Sequence, residues 1–335
     1  MTTPGDRPAR PTGQDVARIA GVSQATVSLA LSDPTSTRVS AEVRARIVQI
    51  AQELGYRPQR AGRELRLGTT DLLLLAVPDV RSTFFARVLH GAQRAADAAG
   101  AAVVLGSGWS GDDLTEAVAD GRFGGVILCS PTDQIMRSEV RGVPVVLLDA
   151  DPHAAPTTTG VIQLDVAEGM RQLVDHVREL GHVRVGRLES AIPSHTFRAR
   201  QAAFDRAGGD LDVVREPVDL TEGVTASAAA AGRLLDLAVP PTAILCDDDV
   251  IAAGVYHAAR SRGLSIPVDV SVLGMDDEPA AQLMDPPLTT IALPAEALGA
   301  AGVHQVLGTQ GDLDPLPTPS LVVRGSAARH GSASA

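Results

Sequence analysis

The chain has 335 residues, 44% of them apolar, and a net charge of −11. That length and apolar content predict two or three folded units with buried cores and exclude a disordered protein. No apolar run reaches the ~18 to 20 residues of a membrane span, and the amino terminus lacks an apolar segment of signal-peptide length, so we expect a cytoplasmic protein with no membrane partner.

Charge is distributed unevenly along the chain. Residues 1–68 hold ten arginines and six acidic residues, a net charge of +4, which leaves −15 for the rest of the chain. A positive N-terminal segment can neutralise phosphate groups even when the whole chain is acidic. The first 68 residues therefore have to be considered separately from the acidic remainder.

Residues 12–21 predict a short amphipathic helix. Thr12 and Asp15 have the spacing of a capping box, in which a hydroxyl and a carboxylate satisfy backbone N–H groups at the helix start. Gly21 supplies the left-handed turn that ends the helix. The face expected to be buried consists of Val16, Ile19 and Ala20.

Two more helices are predicted before residue 56. Ser23 is the expected N-cap of the second helix, and Ser40 that of the third, which Gly55 ends. Val22 and Val27 occupy the two positions of a hydrophobic staple. The other positions expected to face the core are Ala30 and Leu31 on the second helix and Val43, Ile47, Ile50 and Leu54 on the third.

The second helix leaves one face free to enter a DNA groove. Gln24, Ala25 and Leu29 fall within about 140° of arc on the side away from the core, as in a helix-turn-helix. The pattern alone also fits a small helical bundle without a nucleic-acid role. The arginine excess favours DNA binding, because neutralising phosphates supplies affinity that does not depend on sequence.

From residue 70 onward, apolar runs of strand length alternate with helical patterns, which predicts an α/β fold. The strand candidates are LLLLAV, AAVVL, GVILC, VPVVLL, VRVGRL, TAILC and VSVLG, with helices over 84–99, 168–180, 224–237 and 249–262. Two lobes of parallel sheet fit so many strands better than one sheet does. Ligands bind beyond the carboxyl ends of such strands, which makes candidates of Asp79, Ser130, Asp149, Asp247, Asp248 and Asp276.

Motifs spread over nearly the whole chain match those of one protein family. They are DVARIAGVSQATVSLALSD, VSAEVRARI, ELGYRPQ and REL in the N-terminal segment, and LAVPDVRSTFFARVLHGAQRAADAAG and IPVDVSVLGMDDEPAAQLMDPPLTTI in the core. With these motifs the chain resembles the lactose-repressor (LacI/GalR-type) family of transcription regulators. The resemblance implies a helix-turn-helix DNA-binding head and a two-lobed core similar to periplasmic sugar-binding proteins. It also implies a hinge helix at residues 58–66 whose leucine, Leu65 here, wedges into the minor groove of a kinked operator.

The resemblance implies DNA contacts from the head and the hinge. Two hinge positions depart from the usual family residues, since Gln59 replaces asparagine and Gly62 replaces alanine, and glycine costs about 1 kcal/mol in a helix. Leu29 replaces a frequent polar residue, so we expect it to contact a thymine methyl or a sugar. The expected DNA-binding residues are Thr12, Ser23, Gln24, Ala25, Thr26, Ser28, Leu29, Arg38, Tyr56, Arg57, Gln59, Arg60, Arg63 and Leu65.

The resemblance also implies a small-molecule effector in the cleft between the lobes. Arg200 matches the family's effector-clamping arginine, and Asp276 matches the first aspartate of its G-F-D-D motif. A planar fork of donors beside a carboxylate suits a polyol such as a sugar. The alternative is that these two residues pair only to hold the lobe together. The expected effector-binding residues are Asp79, Phe84, Phe85, Ser130, Asp149, Phe197, Arg200, Asp248 and Asp276.

Asp248 stands where the family has asparagine, which leaves the effector class open. A second carboxylate favours a ligand with more donors, such as an amino sugar or a nucleoside, over a plain sugar. The alternative is that Asp248 only caps the helix that follows it. Among the aromatic candidates, Phe84 or Phe85 can stack on a ligand ring, although at least one of them is expected in the core.

Other motifs carry less weight. Gly106, Gly108 and Gly111 have dinucleotide-binding spacing, but no acidic residue ends the next strand, at Cys129, where it would bind a ribose. Cys129 and Cys246 each close an apolar run, which favours buried thiols over a disulfide or metal pair. With no metal-ligand spacing and no nucleophile motif, we expect no metal, no cofactor and no enzyme.

The sequence therefore predicts a homodimeric, ligand-responsive repressor whose partners are a palindromic operator in double-stranded DNA and a small, sugar-like effector. A solute-binding protein with the same core is the main alternative, but it would lack the helix-turn-helix; a plain architectural DNA binder would leave the core unexplained. The expected boundaries are a disordered start (1–11), a DNA-binding domain (12–57), a hinge (58–68), a core (69–326) and a disordered tail (327–335). Within the core, lobe 1 spans about 69–160 and 291–312, and lobe 2 about 161–290 and 317–326.

Overall fold

The computed structural model describes residues 11–32, 37–56, 70–136, 140–153, 160–220, 223–309 and 315–331. The chain divides into two compact units, Met1–Thr69 and Thr70–Ala335, and each unit is described by itself. No helix among these residues is long and apolar enough to cross a membrane.

The first unit contains three helices with the predicted caps: α1 (Gly13–Ala20), α2 (Gln24–Ser32) and α3 (Ala41–Glu53). The capping box is present, since Thr12 Oγ1 accepts from the Asp15 N–H at 3.3 Å and Asp15 Oδ2 accepts from the Thr12 N–H at 3.0 Å. Gly21 has φ of +64°. Ser23 and Ser40 accept from the N–H groups of Thr26 and Val43.

The predicted core of the head is wrong at one position. Ile19 is 51% exposed, and Ala17 lies in the core with Val16 and Ala20. At about 100° per residue, the three buried residues centre on a direction about 107° away from Ile19, which places Ile19 at the edge of the face. Two arginines of α3 complete the packing, because Arg44 donates to Ala30 O and Arg46 donates to Ala20 O, carbonyls near the ends of α2 and α1.

The first lobe of the second unit is a five-stranded parallel sheet with the order β2-β1-β3-β4-β5. Its strands are β1 (Leu72–Val77), β2 (Ala102–Ser107), β3 (Gly125–Cys129), β4 (Val145–Leu148) and β5 (Gly160–Ile162). The helices of this region are α4 (Thr83–Ala98), α5 (Gly111–Ala119) and α6 (Asp133–Met136). Cys129 is buried and free.

The second lobe is a four-stranded parallel sheet with the order β7-β6-β8-β9. Its strands are β6 (Arg184–Ser190), β7 (Asp212–Val218), β8 (Ala243–Cys246) and β9 (Ser271–Leu273). The helices that accompany it are α7 (Val166–Glu179), α8 (His195–Ala207), α9 (Val224–Leu235) and α10 (Asp249–Ser261), with a 3₁₀ turn at Pro279–Gln282. Cys246 is also buried and free.

The remaining elements follow the second sheet in the chain. Strands β10 (Thr290–Ala292) and β11 (Ser320–Val322) form an antiparallel pair. Helix α11 (Ala295–Val306) packs on α4 of the first lobe. Glycines allow this close approach, because a Cβ added at Gly91 would lie 1.9 Å from Glu296 O and one added at Gly299 would lie 2.0 Å from Val88 O.

The prediction of a disordered tail over residues 327–335 is wrong for its first five residues. Residues 327–331 lie against the second lobe: the Ala328 N–H donates to Ser271 Oγ at 3.1 Å, and the His330 N–H donates to Leu180 O at 2.8 Å. His182 Nε2 lies 3.0 Å from Ala328 O. This polar, alanine-rich segment has no apolar period to reveal it, since backbone and hydroxyl hydrogen bonds hold it.

Candidate effector cleft and DNA-binding face

The second helix presents the expected DNA-facing residues unevenly. Gln24, Ala25 and Ser28 are exposed, whereas Leu29 is partly buried against the head core. The Ser23 and Thr26 hydroxyls hydrogen-bond each other at 2.8 Å. Of the other expected residues, Thr12 and Arg38 are exposed and Tyr56 is partly buried, while Arg57, Gln59, Arg60, Arg63 and Leu65 lie outside the described residues.

Three arginines of the positive segment are already engaged within the head. Arg18 pairs with Asp15 at 3.0 Å, and Arg44 and Arg46 donate to the carbonyls at the helix ends. The +4 charge of residues 1–68 therefore overstates the number of cations that can contact phosphates directly. Sequence counting misses this, because it cannot see which guanidinium groups cap helices.

The polar residues that follow strands of the two lobes adopt unusual backbone conformations. Among the described residues, the non-glycine residues with positive φ are Ser130 (44°), Asp149 (50°), Asp276 (115°) and Asp277 (51°). Three of these four are predicted effector residues. Such conformations are costly and cluster at binding sites, where the surrounding structure holds them.

Asp149 lies where the two lobes meet. Its Oδ2 accepts from the Thr196 hydroxyl of the second lobe at 2.7 Å and from the Ser130 hydroxyl at 3.4 Å. Nearby, Arg198 forms two hydrogen bonds to the Asp133 carboxylate, at 2.8 and 2.9 Å. The carboxyl ends of β3 and β4 therefore face the start of α8.

Arg200 and Asp276 form a buried ion pair with an Nη2 to Oδ1 distance of 2.7 Å. Arg200 Nη1 donates to Asp247 O, and its guanidinium lies 5.6 Å from the centre of the Phe197 ring. Burial raises the pKa of Asp276 to about 6, against the lowering effect of Arg200. Arg200 and Asp276 are therefore in contact, as the sequence predicts. The contact uses only some of the hydrogen-bond donors of the guanidinium.

Two buried polar atoms of this region, Arg200 Nε and Ser194 Oγ at the start of the same helix, have no hydrogen-bond partner within the described structure. Ser194 precedes α8, yet its hydroxyl makes no capping hydrogen bond. Because buried polar atoms are nearly always satisfied, this donor and this hydroxyl are suited to a small polar ligand. Ser194 was not predicted, since a serine before a helix usually indicates a cap.

Asp248 caps α10 with one of its carboxylate oxygens. Its Oδ1 accepts from the Ile251 N–H at 2.7 Å, and the residue is only partly buried. Burial, followed by the charge of Asp276, raises the pKa of Asp248 to about 7. The helix-cap interpretation is confirmed, and a second role toward a ligand stays a prediction.

Other predicted effector residues lie apart from this group or contribute only packing. Asp79 pairs with Arg81 of its own loop at 2.8 Å. Phe84 is buried in the core, as expected for one of the two phenylalanines, and Phe85 is half-buried with its ring centre 5.4 Å from that of Phe84. A groove of about 390 Å³ lined by residues 161–165 and 316–318 contains none of the predicted site residues.

Sequence reasoning missed the residues that join the lobes. Arg87 Nη1 of α4 donates to Asp276 O at 3.0 Å and to Asp277 O at 3.2 Å, and Glu278 Oε1 accepts from the Phe84 N–H at 3.3 Å. These contacts join positions about 190 residues apart, which no local pattern encodes. Within the described part of the chain, no group of three or more His, Cys, Asp or Glu is placed to hold a metal.

Comparison with family models gives two matches. Residues 12–59 match the model described as bacterial regulatory proteins of the lacI family, and residues 174–327 match a periplasmic binding protein-like domain. The first match covers the three-helix head. The second covers most of the second lobe.

Curated proteins and solved structures agree with these matches. The chain is 30% identical to the HTH-type transcriptional repressor CytR of Escherichia coli, over 94% of this chain and 96% of that protein. It is 33% identical to the HTH-type transcriptional regulator MalR of Streptomyces coelicolor, again over 94% and 96%.

Among solved structures, the lac repressor dimer bound to operator and an anti-inducer is similar with a TM-score of 0.81 and 26% identity, over 96% of this chain and 100% of that one. The complex of the transcriptional regulator CelR with cellobiose is similar with a TM-score of 0.68 and 26% identity, over 95% and 100%. These relatives regulate transcription and are not enzymes. The chain therefore belongs to the LacI family of bacterial regulatory proteins.

Proposed function

We propose that the chain is a homodimeric repressor that binds a palindromic operator through its three-helix head and a small polar effector in the cleft of its core. The observation that carries the effector site is the buried ion pair of Arg200 and Asp276, in which Arg200 Nε has no partner within the described structure, together with the unpartnered hydroxyl of Ser194 at the start of the same helix. A purely structural ion pair would not require unsatisfied atoms beside it.

The DNA-binding role rests on the exposed side of α2. Gln24 and Ala25 project from a short helix that two others support, which is the arrangement of a recognition helix in a major groove. The operator-bound dimer among the similar structures supports the same use here. We place the DNA-binding domain at 12–57, the hinge at 58–68 and the effector core from 69, and we place the protein in the cytoplasm, where operator DNA lies.

The effector that best fits the cleft is a sugar-like or nucleoside-like molecule with several hydrogen-bond donors. Arg200 Nε offers a donor, whereas Asp248 and Asp276 offer acceptors. The cellobiose complex of a similar regulator supports a sugar-like ligand. The second carboxylate at Asp248 favours ligands that carry amino groups.

The proposal can be tested in two steps with the full-length protein. Selection from a random duplex library should yield an inverted repeat, because the two heads of a dimer are related by a two-fold axis. Sugars, amino sugars and nucleosides are then screened by thermal shift, and those that bind are tested for an effect on operator affinity.

The Arg200→Ala variant should lose binding of every compound that shifts the parent protein, because a buried carboxylate is left without its partner. Arg233→Ala, which breaks an exposed pair with Glu216 in the same lobe, is the matched control and should bind normally. Selection of sequences without two-fold symmetry, or unaltered ligand binding by Arg200→Ala, would contradict the proposal.

A further inference from the structure

Arg187 is a charged residue in an unusual place. It lies in the middle of β6, a strand with neighbours on both sides, and its side chain is 0% exposed. Moving a charged group out of water is expensive unless it is paired and hydrogen-bonded. Because a strand does not need a cation in order to form, the role of this charge has to be found in the groups that Arg187 contacts.

The partner of Arg187 is Asp247, which follows β8 directly and is equally buried. The guanidinium donates to Asp247 Oδ1 and, at 3.3 Å, to Leu245 O of the same strand. Its Nε makes no hydrogen bond within the described structure and lies 3.9 Å from Glu189 Oε1. The ring of Phe204 lies 5.1 Å from the guanidinium carbon. Arg187 therefore holds the carboxyl end of β8 in place through its hydrogen bonds to Leu245 and Asp247.

Asp247 connects Arg187 to the candidate effector cleft through two further hydrogen bonds. Its carbonyl oxygen accepts from Arg200 Nη1, and its Oδ2 accepts from the Ser190 N–H at 2.8 Å. Ser190 ends β6 and begins the loop that leads to Ser194 and α8. Asp247 thus connects the end of β8 to two parts of the site: its carbonyl oxygen binds Arg200 of α8, and its carboxylate binds the start of the loop that leads to the first lobe.

We infer that Arg187 is a positioning residue for the effector cleft, which acts through Asp247 to hold the Arg200 guanidinium and the 190–194 loop in place. This inference rests on the proposed effector role of Arg200. Arg187 itself does not reach the cleft, because its side chain is fully buried and its hydrogen bonds go to Leu245 and Asp247.

A merely structural role would have a different signature. A buried ion pair can often be replaced by apolar residues of similar volume with little loss of stability, so we expect the sheet to form without these two charges. What an apolar pair cannot do is orient Asp247, whose carboxylate anchors Ser190. The effect of removing both charges should therefore appear at Arg200 and in the loop rather than throughout the lobe.

The experiment replaces both charges in the full-length protein and needs neither effector nor operator. The variant Arg187→Met/Asp247→Leu removes the pair without changing the net charge, and Arg187→Gln/Asp247→Asn does so with smaller changes in shape. The matched control, Arg233→Met/Glu216→Gln, neutralises an exposed ion pair of the same lobe. Carboxyl ¹³C NMR follows the titration of Asp276, and hydrogen exchange follows the backbone amides.

In both neutral variants we expect the Asp276 pKa to rise by about one pH unit, because Arg200 no longer sits where it stabilises the carboxylate. Exchange at residues 190–197 should accelerate about tenfold or more, while residues 185–188 of β6 keep their protection. The control variant should match the parent protein in both measurements.

A folded neutral variant whose Asp276 titrates as in the parent would overturn the inference. Equal acceleration of exchange across β6, β8 and β9 would also overturn it, since that result shows a pair that only holds the sheet. These measurements use no ligand. A failure of the proposed function in the effector and operator tests would therefore not change the outcome of the NMR and hydrogen-exchange measurements.

Discussion

At the scale of single residues, Asp248 caps a helix with a carboxylate where the sequence also predicts a role toward the effector. One oxygen caps α10, while burial and the charge of Asp276 raise the pKa of the carboxyl group. Asparagine, the usual family residue, can cap a helix equally well but carries no charge. The carboxylate therefore costs stability when it is ionised, and that cost can be measured.

The Asp248→Asn variant should be more stable than the parent at pH 8 and equally stable near pH 4. The folded protein raises the Asp248 pKa from 3.8 to about 7, so the parent loses stability as the pH rises through this interval and the proton leaves. The asparagine has no proton to lose. We expect a gain of roughly 1 to 2 kcal/mol at pH 8, measured by urea unfolding.

The matched control is Asp165→Asn, because Asp165 caps α7 at an exposed helix start. It should show no gain that grows with pH. A gain for Asp248→Asn of the same size at pH 4 and pH 8 would mean that burial of the charge is not its cause.

The rule that ligands bind beyond the carboxyl ends of parallel strands located much of the candidate cleft, but it did not predict the contacts between the lobes. Ser130, Asp149 and Asp276 follow parallel strands, so a local pattern was enough to select them. Thr196 and Arg87 are ordinary helix residues in the sequence, and they reach the cleft only because the lobes meet. Asp79 satisfies the same rule but pairs with its neighbour Arg81, which the rule does not anticipate.

At the scale of elements, the longer apolar strands were predictable, whereas a charged edge strand and three very short strands were not. All seven predicted strands of the core are present; six of them are mostly apolar, whereas VRVGRL of β6 contains Arg184 and Arg187. The missed strand β7 is an edge strand whose sequence, DVVREPV, mixes charges with valines. Three other missed strands, β5, β10 and β11, have only three residues each, which is too short for a period to show.

The contact between α4 and α11 depends on glycine. We expect Gly299→Ala to destabilise the core by about 1 to 3 kcal/mol, because the new methyl group would lie 2.0 Å from Val88 O and the helices would have to separate. Gly302→Ala on the same helix is the control, since its methyl group would meet side-chain carbons of Leu148 and Ile127 no closer than 3.2 Å.

Thermal unfolding of both variants, at equal concentration, measures this difference. Gly302→Ala should lose clearly less stability, because side chains move more easily than a backbone carbonyl does. Equal losses in the two variants would show that helix separation is not what the glycine at 299 prevents.

At the scale of the whole molecule, the chain joins a positive head to a strongly negative core. The division near residue 69 agrees with the charge boundary, since residues 1–68 carry +4 and the rest carries −15. The negative core should repel DNA outside the head and so limit nonspecific binding. The number of arginines facing the phosphates could not be read from the sequence, because Arg18, Arg44 and Arg46 make contacts within the head.

Operator affinity should fall steeply with salt, by about 0.9 power of the salt concentration for each phosphate contacted. Gln24→Ala separates this charge effect from base recognition: it should weaken binding to the selected operator by about 10- to 100-fold while leaving the salt slope unchanged, because Gln24 is an exposed, neutral residue of α2. Titrations of full-length protein with operator and with scrambled duplex, at several salt concentrations, give both quantities. A flat salt dependence would refute the charged head as the source of affinity, and a changed slope in Gln24→Ala would place that residue near the phosphates instead of the bases.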